Sequence, residues 1–290
     1  MSGILYVFGD LCVDIVAVPR SLPGPGEEAT LDRLDIVCGG AAFNCAVAAA
    51  RAGALVKVLG LVGEDEFGAM LVRRLRESGV DTSSIQARPG RTGTVLSIAS
   101  PDGDRTLYSY RGVNAEQYTR LPELQAGDHV YISGYSLQEA SSRVPARELK
   151  QRAQSSGAVC LLDPSFQSAA GLAASGFLDG LDWIAPNARE AELMTGSTDP
   201  ARLRALGVAN VIVTLGAQGC LLGTASGIMA IPAEAVSVTH STGAGDAFCG
   251  GLLAALLQGA GPVEAAQLAT RAATAAIAHN RISGTSHNPA

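Results

Sequence analysis

Short apolar stretches alternate with helix-forming stretches along most of the chain, and this alternation restricts the possible fold more than any other feature. Apolar strands separated by helices form βαβ units, in which successive strands run parallel. We therefore predict an α/β fold with a mostly parallel central sheet and helices on both faces. The strands are predicted at residues 4–8, 56–61, 129–133, 159–163, 183–186 and 211–215. The helices are predicted at residues 41–52, 67–78, 147–155, 189–195, 200–206, 244–258 and 262–279.

Two regions interrupt this alternation with short β-like runs and turn residues, at approximately residues 14–36 and 91–115. The second contains a predicted hairpin, in which a turn at 101–104 joins two alternating runs. We expect these insertions to act as lids over the carboxyl ends of the parallel strands, where open α/β sheets bind ligands. At roughly 150 residues per domain, 290 residues correspond to one large domain or two unequal ones. Of these two possibilities we predict one α/β domain over residues 1–290.

Charge and composition exclude several classes of protein. The chain has 21 basic and 27 acidic residues, so it lacks the basic stripe that binds nucleic acid. Neither of its lysines, Lys57 and Lys150, follows a glycine, which excludes the P-loop of many nucleotidases. No apolar stretch is long enough to span a bilayer, and the first residues do not resemble a secretory signal. We therefore expect a cytoplasmic protein whose scattered cysteines are reduced, with no nucleic-acid or membrane partner.

The segment at 241–248, Ser-Thr-Gly-Ala-Gly-Asp-Ala-Phe, follows a β-like stretch and opens an apolar helix. A glycine-rich turn at a helix N-terminus presents free N–H groups and the positive end of the helix dipole, which together bind an anion. Asp246 falls in the first turn, where it either complements the dipole or meets a ligand that approaches over the small residues. The dinucleotide-binding pattern is excluded because Phe248 stands where its third glycine is required.

A second glycine pair, Gly39 and Gly40, leads into an alanine-rich helix that carries Asn44. The amide of Asn44 suits either a hydroxylated substrate or a local bond to the backbone. Phe43 beside it either packs in the core or stacks on a substrate ring. Asp14, which follows the first strand between apolar neighbours, is a further candidate for ligand binding.

Two more candidate groups follow later strands. Asn187 and Glu190 stand three residues apart at a helix start, where they form either a capping box or a pair that positions metal-bound water. The segment at 214–219 contains Thr214 and two glycines, and forms either an ordinary turn or a loop around a nucleotide. The histidines share no spacing and no Gly-x-Ser-x-Gly elbow occurs, so a hydrolytic triad is not supported.

Taken in order, these motifs resemble the ribokinase (PfkB) family of carbohydrate kinases over nearly the whole chain. The resemblance implies a ribokinase-like α/β fold with a small β lid, and Mg²⁺-dependent transfer of the ATP γ-phosphoryl group to a hydroxymethyl group. It implies that Asp246 is the catalytic base, which takes the proton of the attacking hydroxyl. The anion hole would be formed by Gly243, Ala244 and Gly245.

The resemblance also implies the binding residues. Substrate hydroxyls would be bound by Asp14, Gly39, Gly40 and Asn44, and by Arg105 from the second insertion. The nucleotide would be bound by Asn187, Thr214, Gly216 and Gly219, and Mg²⁺ by Glu190 through water and by Asn187. The lids of many relatives pair, which predicts a homodimer.

Two departures bear on a monovalent cation. His240 stands where many relatives have an Asp that helps hold the ion, and the tail at 281–285 also differs. An imidazole is a poor ligand for hard alkali cations, so we expect activity that does not depend on potassium.

The substrate is less sharply determined. The absence of lysine near Gly40 indicates a non-phosphorylated substrate, either a sugar or a sugar acid that uses Arg105. A nucleoside kinase of the same family is the alternative, and a sugar sensor without catalysis is a third hypothesis. The intact Asp246 argues against the sensor, since a binding protein needs no base.

Overall fold

The computed structural model describes residues 3–99, 105–234 and 243–282, without the side chains of residues 99, 105 and 279–282. Its strands are β1 (Leu5–Phe8), β2 (Cys12–Pro19), β3 (Leu31–Gly39), β4 (Val56–Leu59), β5 (Leu61–Gly63), β6 (Gln86–Arg88), β7 (Gly93–Ala99), β8 (Arg105–Tyr110), β9 (His129–Ser133), β10 (Val159–Asp163), β11 (Trp183–Ile184), β12 (Asn210–Thr214), β13 (Cys220–Thr224) and β14 (Gly227–Ile231). Its helices are α1 (Ala41–Arg51), α2 (Glu66–Glu77), α3 (Ala140–Ser156), α4 (Phe166–Leu172), α5 (Ala188–Thr195), α6 (Pro200–Arg204), α7 (Ala244–Leu257) and α8 (Pro262–Ile282).

The central sheet has eight strands in the order β14-β13-β12-β11-β10-β9-β1-β4. The strands from β12 to β4 are parallel, and β13 and β14 extend one edge as an antiparallel hairpin. The predicted α/β fold with a mostly parallel sheet is therefore confirmed. The hairpin of β13 and β14 was not predicted, although Gly227–Ile231 is an apolar run; most of β14 is exposed at the edge of the sheet.

Two hydrophobic cores lie on opposite faces of this sheet. Leu5 and Val7 of β1 pack in the core formed with α1, α2, α7 and α8, whereas Tyr6 and Phe8 pack in the core formed with α3 to α6. This alternation follows from the strand period of two, since neighbouring residues point to opposite faces. Strands buried on both faces are the apolar runs that the sequence analysis identified.

A separate sheet of four strands, in the order β3-β2-β7-β8, is built mainly from the two predicted insertions. The hairpin of β7 and β8 forms as predicted, and a parallel pairing of β2 with β7 joins both insertions into one sheet. This sheet extends beyond the first predicted insertion, because β2 begins at Cys12 and β3 ends at Gly39.

The stretch predicted as one strand at 56–61 divides at Gly60, after which β5 leaves the central sheet and pairs with β6. A Cβ at Gly60 would lie 3.0 Å from Leu11 Cδ1, so the chain passes close to the loop after β1 at this point. Among the described helices, none is long and apolar enough to cross a membrane.

Candidate active site

The candidate residues meet at the carboxyl edge of the central sheet. Asp10 follows β1, Asp163 ends β10, Asn187 follows β11 and Thr214 ends β12. Helix α7 begins at the same edge, and its first turn contains Asp246. The carboxyl ends of parallel strands are where α/β folds bind ligands, so this edge is the candidate active site.

The N-terminus of α7 has the geometry that binds an anion. Gly243 adopts a left-handed φ of 80°, which lets the chain turn sharply into the helix at Ala244. Among the described residues no side chain caps this helix start, and a Cβ at Gly245 would meet no atom within 4 Å. The first N–H groups of a helix and the positive end of its dipole are the groups that bind an anion.

Asn44 on α1 contacts Asp246 directly, because its Nδ2 donates a hydrogen bond of 2.9 Å to Asp246 Oδ2. The two helices approach closely at Gly250, where a Cβ would lie 2.4 Å from the Cys45 carbonyl oxygen. The side chain of Asn44 does not cap α1. The Asn44 side chain therefore contacts another helix instead of forming the local backbone bond that was its alternative, and the buried Phe43 packs in the core beside it.

The carboxyl groups of Asp246 and Asp163 lie close enough to interact, and both have a raised pKa. Burial raises the pKa of Asp246 to about 6, the hydrogen bond from Asn44 lowers it, and the charge of Asp14 raises it. Burial and the charge of Asp246 raise the pKa of Asp163 well above its usual range, although the Tyr131 hydroxyl donates to Asp163 Oδ2 at 2.8 Å. The charge of Asp246 therefore favours the protonated form of Asp163, whereas the hydrogen bond from Asn44 favours the ionised form of Asp246.

The glycine pair brings two acidic residues close to the start of α1. A Cβ at Gly39 would lie 2.6 Å from Asp14 Oδ2, so the carboxylate lies directly over this glycine. Gly40 has a φ of 96°, and a Cβ there would lie 2.5 Å from the Asp10 carbonyl oxygen. Both positions therefore require glycine. Gly39 allows the close approach of Asp14, and Gly40 allows the turn into α1.

Sequence reasoning missed the ion pair of Asp10 with Arg111, which joins the four-stranded sheet to the central sheet. Arg111 follows β8, and its Nη2 lies 2.9 Å from Asp10 Oδ1. The same guanidinium donates to the Tyr135 carbonyl oxygen at 2.7 Å and to Gln138 Oε1 at 3.0 Å. Burial raises the pKa of Asp10 to about 6, and Arg111 opposes this shift. The position of Asp10 directly after a buried strand was the available signal.

Asn187 and Glu190 form the capping box of α5. Asn187 Oδ1 accepts from the Glu190 N–H, and Glu190 Oε2 accepts from the Asn187 N–H, both at 2.9 Å. The capping interpretation is therefore confirmed, and the Asn187 side chain also acts on the Glu190 carboxylate, whose pKa it lowers. Burial raises the pKa of Glu190 to about 7, with a further rise from the charge of Asp246.

The segment after β12 forms a tight turn beside this cap. A parallel bridge pairs Asn187 with Thr214, so the two motifs are adjacent. A Cβ at Gly219, which has a φ of 90°, would lie 2.0 Å from the Ile231 carbonyl oxygen. Gly216 has a φ of 59° and open space around its Cβ position. Gly219 is thus required for packing, and Gly216 is the glycine over which a ligand can approach.

Three predictions fall on parts of the chain that the structure does not describe. The backbone of Arg105 lies in β8, but its side chain lies outside the described residues. His240 and residues 283–285 of the tail at 281–285 also lie outside them, so the prediction about a monovalent cation stays a prediction. Within the described ranges, no group of three His, Cys, Asp or Glu residues could hold a metal ion. The carboxylate of Glu190 nevertheless suits Mg²⁺ that arrives with phosphate ligands, because that ion is usually bound by one or two carboxylates, substrate phosphates and water.

Comparison with known proteins identifies the family of this site. The sequence profile of the pfkB family of carbohydrate kinases matches residues 4–288. The aminoimidazole riboside kinase of Salmonella typhimurium is 31% identical over 270 residues, which cover 86% of this chain and 79% of that protein. The fructokinase of Vibrio alginolyticus is 30% identical over 267 residues, which cover 87% of this chain and 83% of that protein.

Solved structures show the same fold. The structure of Arabidopsis thaliana ribokinase complexed with ribose and ATP matches with a TM-score of 0.82 at 23% identity, and the match covers 96% of this chain and 93% of that one. The resemblance to ribokinases that the motifs predicted is therefore confirmed, together with the ribokinase-like fold.

Proposed function

The chain belongs to the pfkB family of carbohydrate kinases, and we propose that it transfers the γ-phosphoryl group of ATP to a hydroxymethyl group of a non-phosphorylated sugar or sugar acid. Its relatives include a fructokinase and a riboside kinase, so the chain is a phosphotransferase with an alcohol acceptor. The observation that carries the proposal is the position of Asp246 in the open first turn of α7, where Asn44 holds its carboxylate at 2.9 Å.

Asp246 acts as the base in this reaction. The attacking hydroxyl oxygen forms a bond to the γ-phosphorus while the bond to the β,γ-bridging oxygen breaks, and the hydroxyl proton passes to Asp246. A pKa of about 6 leaves this carboxylate mostly ionised near neutral pH, yet basic enough to accept a proton. The N–H groups that follow Gly243 stabilise the negative charge on the transferring phosphoryl group.

The substrate side of the site favours an acceptor without a phosphate group. Asp14 over Gly39 offers a carboxylate to sugar hydroxyls, and Asn44 has its Oδ1 available beside the base. The described cation on this side, Arg111, is already neutralised by Asp10 at 2.9 Å. Uncharged hydroxyl groups fit such a set of acceptors better than a second phosphate does. A sugar acid is also included in the proposal, because Arg105 could bind its carboxylate.

Mg²⁺ would enter this site together with ATP. The Glu190 carboxylate would hold it through water, and the ion would supply positive charge that neutralises the phosphates. Asn187 Oδ1 is committed to the cap, so Asn187 would contribute its Nδ2 to a phosphate oxygen. Thr214 and Gly216 line the turn that we assign to the nucleotide, with Gly219 fixing the shape of that turn.

A nucleoside is the second candidate substrate. This candidate is supported by the aminoimidazole riboside kinase at 31% identity, whose substrate carries a base on its ribose. Phe43 gives it no support, because that ring is buried in the core.

All six cysteines are free thiols, and most are buried. Free thiols are typical of the reducing compartment in which ATP is also available. We therefore place the proposed reaction in the cytoplasm.

The four-stranded sheet exposes an apolar face that suits a second copy of the chain. The strand register places Ile36, Ile15, Leu96 and Tyr108 side by side on one face, where Ile36 is 50% and Tyr108 60% exposed. Contiguous apolar patches of this kind are rare on monomers. We propose a homodimer through this face.

Light scattering should show that the parent protein is a dimer. Ile36→Asp should dissociate this dimer, whereas Leu55→Asp, at an exposed leucine outside this sheet, should leave it intact. A monomeric parent protein would contradict this assembly.

The substrate proposal is tested by a coupled assay of ATP consumption over a panel of sugars, sugar acids and nucleosides. We expect the highest kcat/KM with a neutral ketose or aldose. A preference for nucleosides would favour the second candidate. Sugar binding without turnover would show a sensor and overturn the kinase assignment of this chain.

A further inference from the structure

Phosphoryl transfer needs positive charge along the phosphate chain, yet the described side chains at the carboxyl edge are mainly acidic. Asp163, Glu190 and Asp246 lie close enough to interact electrostatically. The charges of Asp246 and Glu190 raise the pKa of Asp163, and the charge of Asp246 raises the pKa of Glu190. Arg111 at this edge is paired with Asp10 at 2.9 Å. The chain must therefore present another cation if its own side chains are to hold the phosphates.

Arg189 lies in the first turn of α5, at the carboxyl edge of the sheet, and its charge is not neutralised by a described acidic side chain. It is exposed, and within the described part of the chain it forms no ion pair and no hydrogen bond. Other arginines near the site differ in this respect. Arg143 donates to the carbonyl oxygens of Leu137 and Gln138, so its guanidinium is occupied by the backbone.

The contact that Arg189 does make fixes its direction. Its Cζ lies 4.1 Å from the centroid of the Phe166 ring, which is the first residue of α4 and is 45% exposed. A guanidinium stacked on an aromatic face keeps its N–H groups in the plane of the stack, where they can bind phosphate oxygens in pairs. An exposed aromatic side chain at the mouth of the site thus holds the arginine in one orientation.

Strand order places this arginine on the path of the phosphates. The proposed nucleotide turn follows β12, the base lies near Asp163 at the end of β10, and β11 runs between these strands. A phosphate chain that reaches from the nucleotide turn to the base must therefore cross the end of β11, where α5 begins. The contact with Phe166 turns Arg189 from α5 toward the end of β10. The charge of Asp246 also raises the pKa of Glu190, the neighbour of Arg189 in the chain.

We propose that Arg189 binds the β- and γ-phosphates of ATP and that Phe166 holds its guanidinium in position for this contact. The inference rests on the proposed function, because it assumes that ATP is the phosphoryl donor. It assigns part of the positive charge of the reaction to a side chain to which the family resemblance gives no role. Arg189 thereby acts with the N–H groups of α7, which meet the γ-phosphoryl group from the other side.

Equilibrium binding tests this contact without depending on turnover. Calorimetry with Mg-ATP, Mg-ADP and AMP is performed on the parent protein, on Arg189→Gln and on Phe166→Leu. The matched control is Arg202→Gln, which removes the same charge from an exposed residue of α6, ahead of the start of β12. We expect Arg189→Gln to raise the Kd of ATP and ADP about tenfold, the lower end of the loss of a charge-assisted hydrogen bond, because the residue is exposed. AMP affinity should stay within about twofold, and Phe166→Leu should give a smaller rise.

The outcomes separate this inference from the proposed function. ATP and ADP affinities of Arg189→Gln that match those of Arg202→Gln would overturn the inference while leaving kinase activity of the parent protein intact. An equal loss for AMP would place the arginine at the α-phosphate and contradict the assignment. A parent protein that binds ATP but phosphorylates no alcohol would overturn the proposed function, whereas the binding comparison would still support or refute the contact. A parent protein that binds no ATP would overturn both.

Discussion

Replacing Asn44 by alanine removes one hydrogen bond that favours the ionised form of the proposed base. Asn44 Nδ2 donates to Asp246 Oδ2 at 2.9 Å, and this bond lowers a pKa that burial has raised to about 6. A hydrogen bond to a charged group contributes about 1.5–3 kcal/mol, and about 1.4 kcal/mol corresponds to one pKa unit. Partial replacement by water reduces the effect, so we expect Asn44→Ala to raise the pKa of Asp246 by about one unit.

The sign of the activity change follows from the role of the base. Asp246 must be ionised to accept the hydroxyl proton, so activity is present above its pKa and falls as the pH drops through it. We expect the acidic limb of kcat near pH 6 in the parent enzyme, from the pKa of Asp246, and near pH 7 in the variant. At pH 7 the ionised fraction falls from about nine-tenths to about half, and at pH 9 this part of the loss should disappear.

The assay measures kcat against pH at saturating sugar and Mg-ATP, with constant ionic strength because screening alone changes ATP binding. The matched control is Asn210→Ala, because that amide donates to the Asp182 carbonyl oxygen at the opposite edge of the sheet. The control should leave the limb unchanged. A limb that stays in place in Asn44→Ala, with only the KM for the sugar raised, would show that Asn44 binds substrate alone and would refute this reasoning.

Three further predictions follow from the same site. Asp14→Ala should raise the sugar KM more than it lowers kcat, by about tenfold or more, because a charge-assisted hydrogen bond to a hydroxyl is lost; an unchanged KM in steady-state kinetics would contradict the substrate role. Arg111→Met should lower the free energy of unfolding by about 3 kcal/mol, since it leaves the largely buried carboxyl group of Asp10 without its ion-pair partner. A much smaller effect in urea denaturation would show that water solvates this pair. Activity in sodium, potassium or a bulky organic cation should agree within about twofold, because His240 offers no oxygen ligand; tenfold activation by potassium would refute this.

The central sheet could be predicted from the sequence because its strands are buried on both faces. Leu5 and Val7 face one core while Tyr6 and Phe8 face the other, so β1 appears as an unbroken apolar run. The apolar run does not by itself tell a buried strand from an exposed one, since β14, which was missed, is also apolar but is mostly exposed at the sheet edge.

The site was predictable one motif at a time, but its contacts were not. The glycines before α1 and α7 and the acidic residue after them indicate an anion-binding helix start through local pattern alone. The bond of Asn44 to Asp246 joins residues 202 positions apart, and that of Arg111 to Asp10 joins residues 101 apart. Such pairs depend on how the helices and sheets pack, and no local spacing encodes them. The alternatives for Asn44 therefore stayed open until the packing of α1 against α7 was known.

The most direct test of the account is the activity of Asp246→Asn, which preserves the shape of the side chain and removes its ability to accept a proton. Removal of a general base typically lowers the rate by about 10²–10⁴-fold, so kcat should fall by this factor while the Kd values of sugar and Mg-ATP change by no more than a few-fold. Asn44 can still contact an amide oxygen at this position, so the fold of the site should survive. Turnover near the parent rate would show that Asp246 is not the base and would contradict the proposed phosphotransferase mechanism.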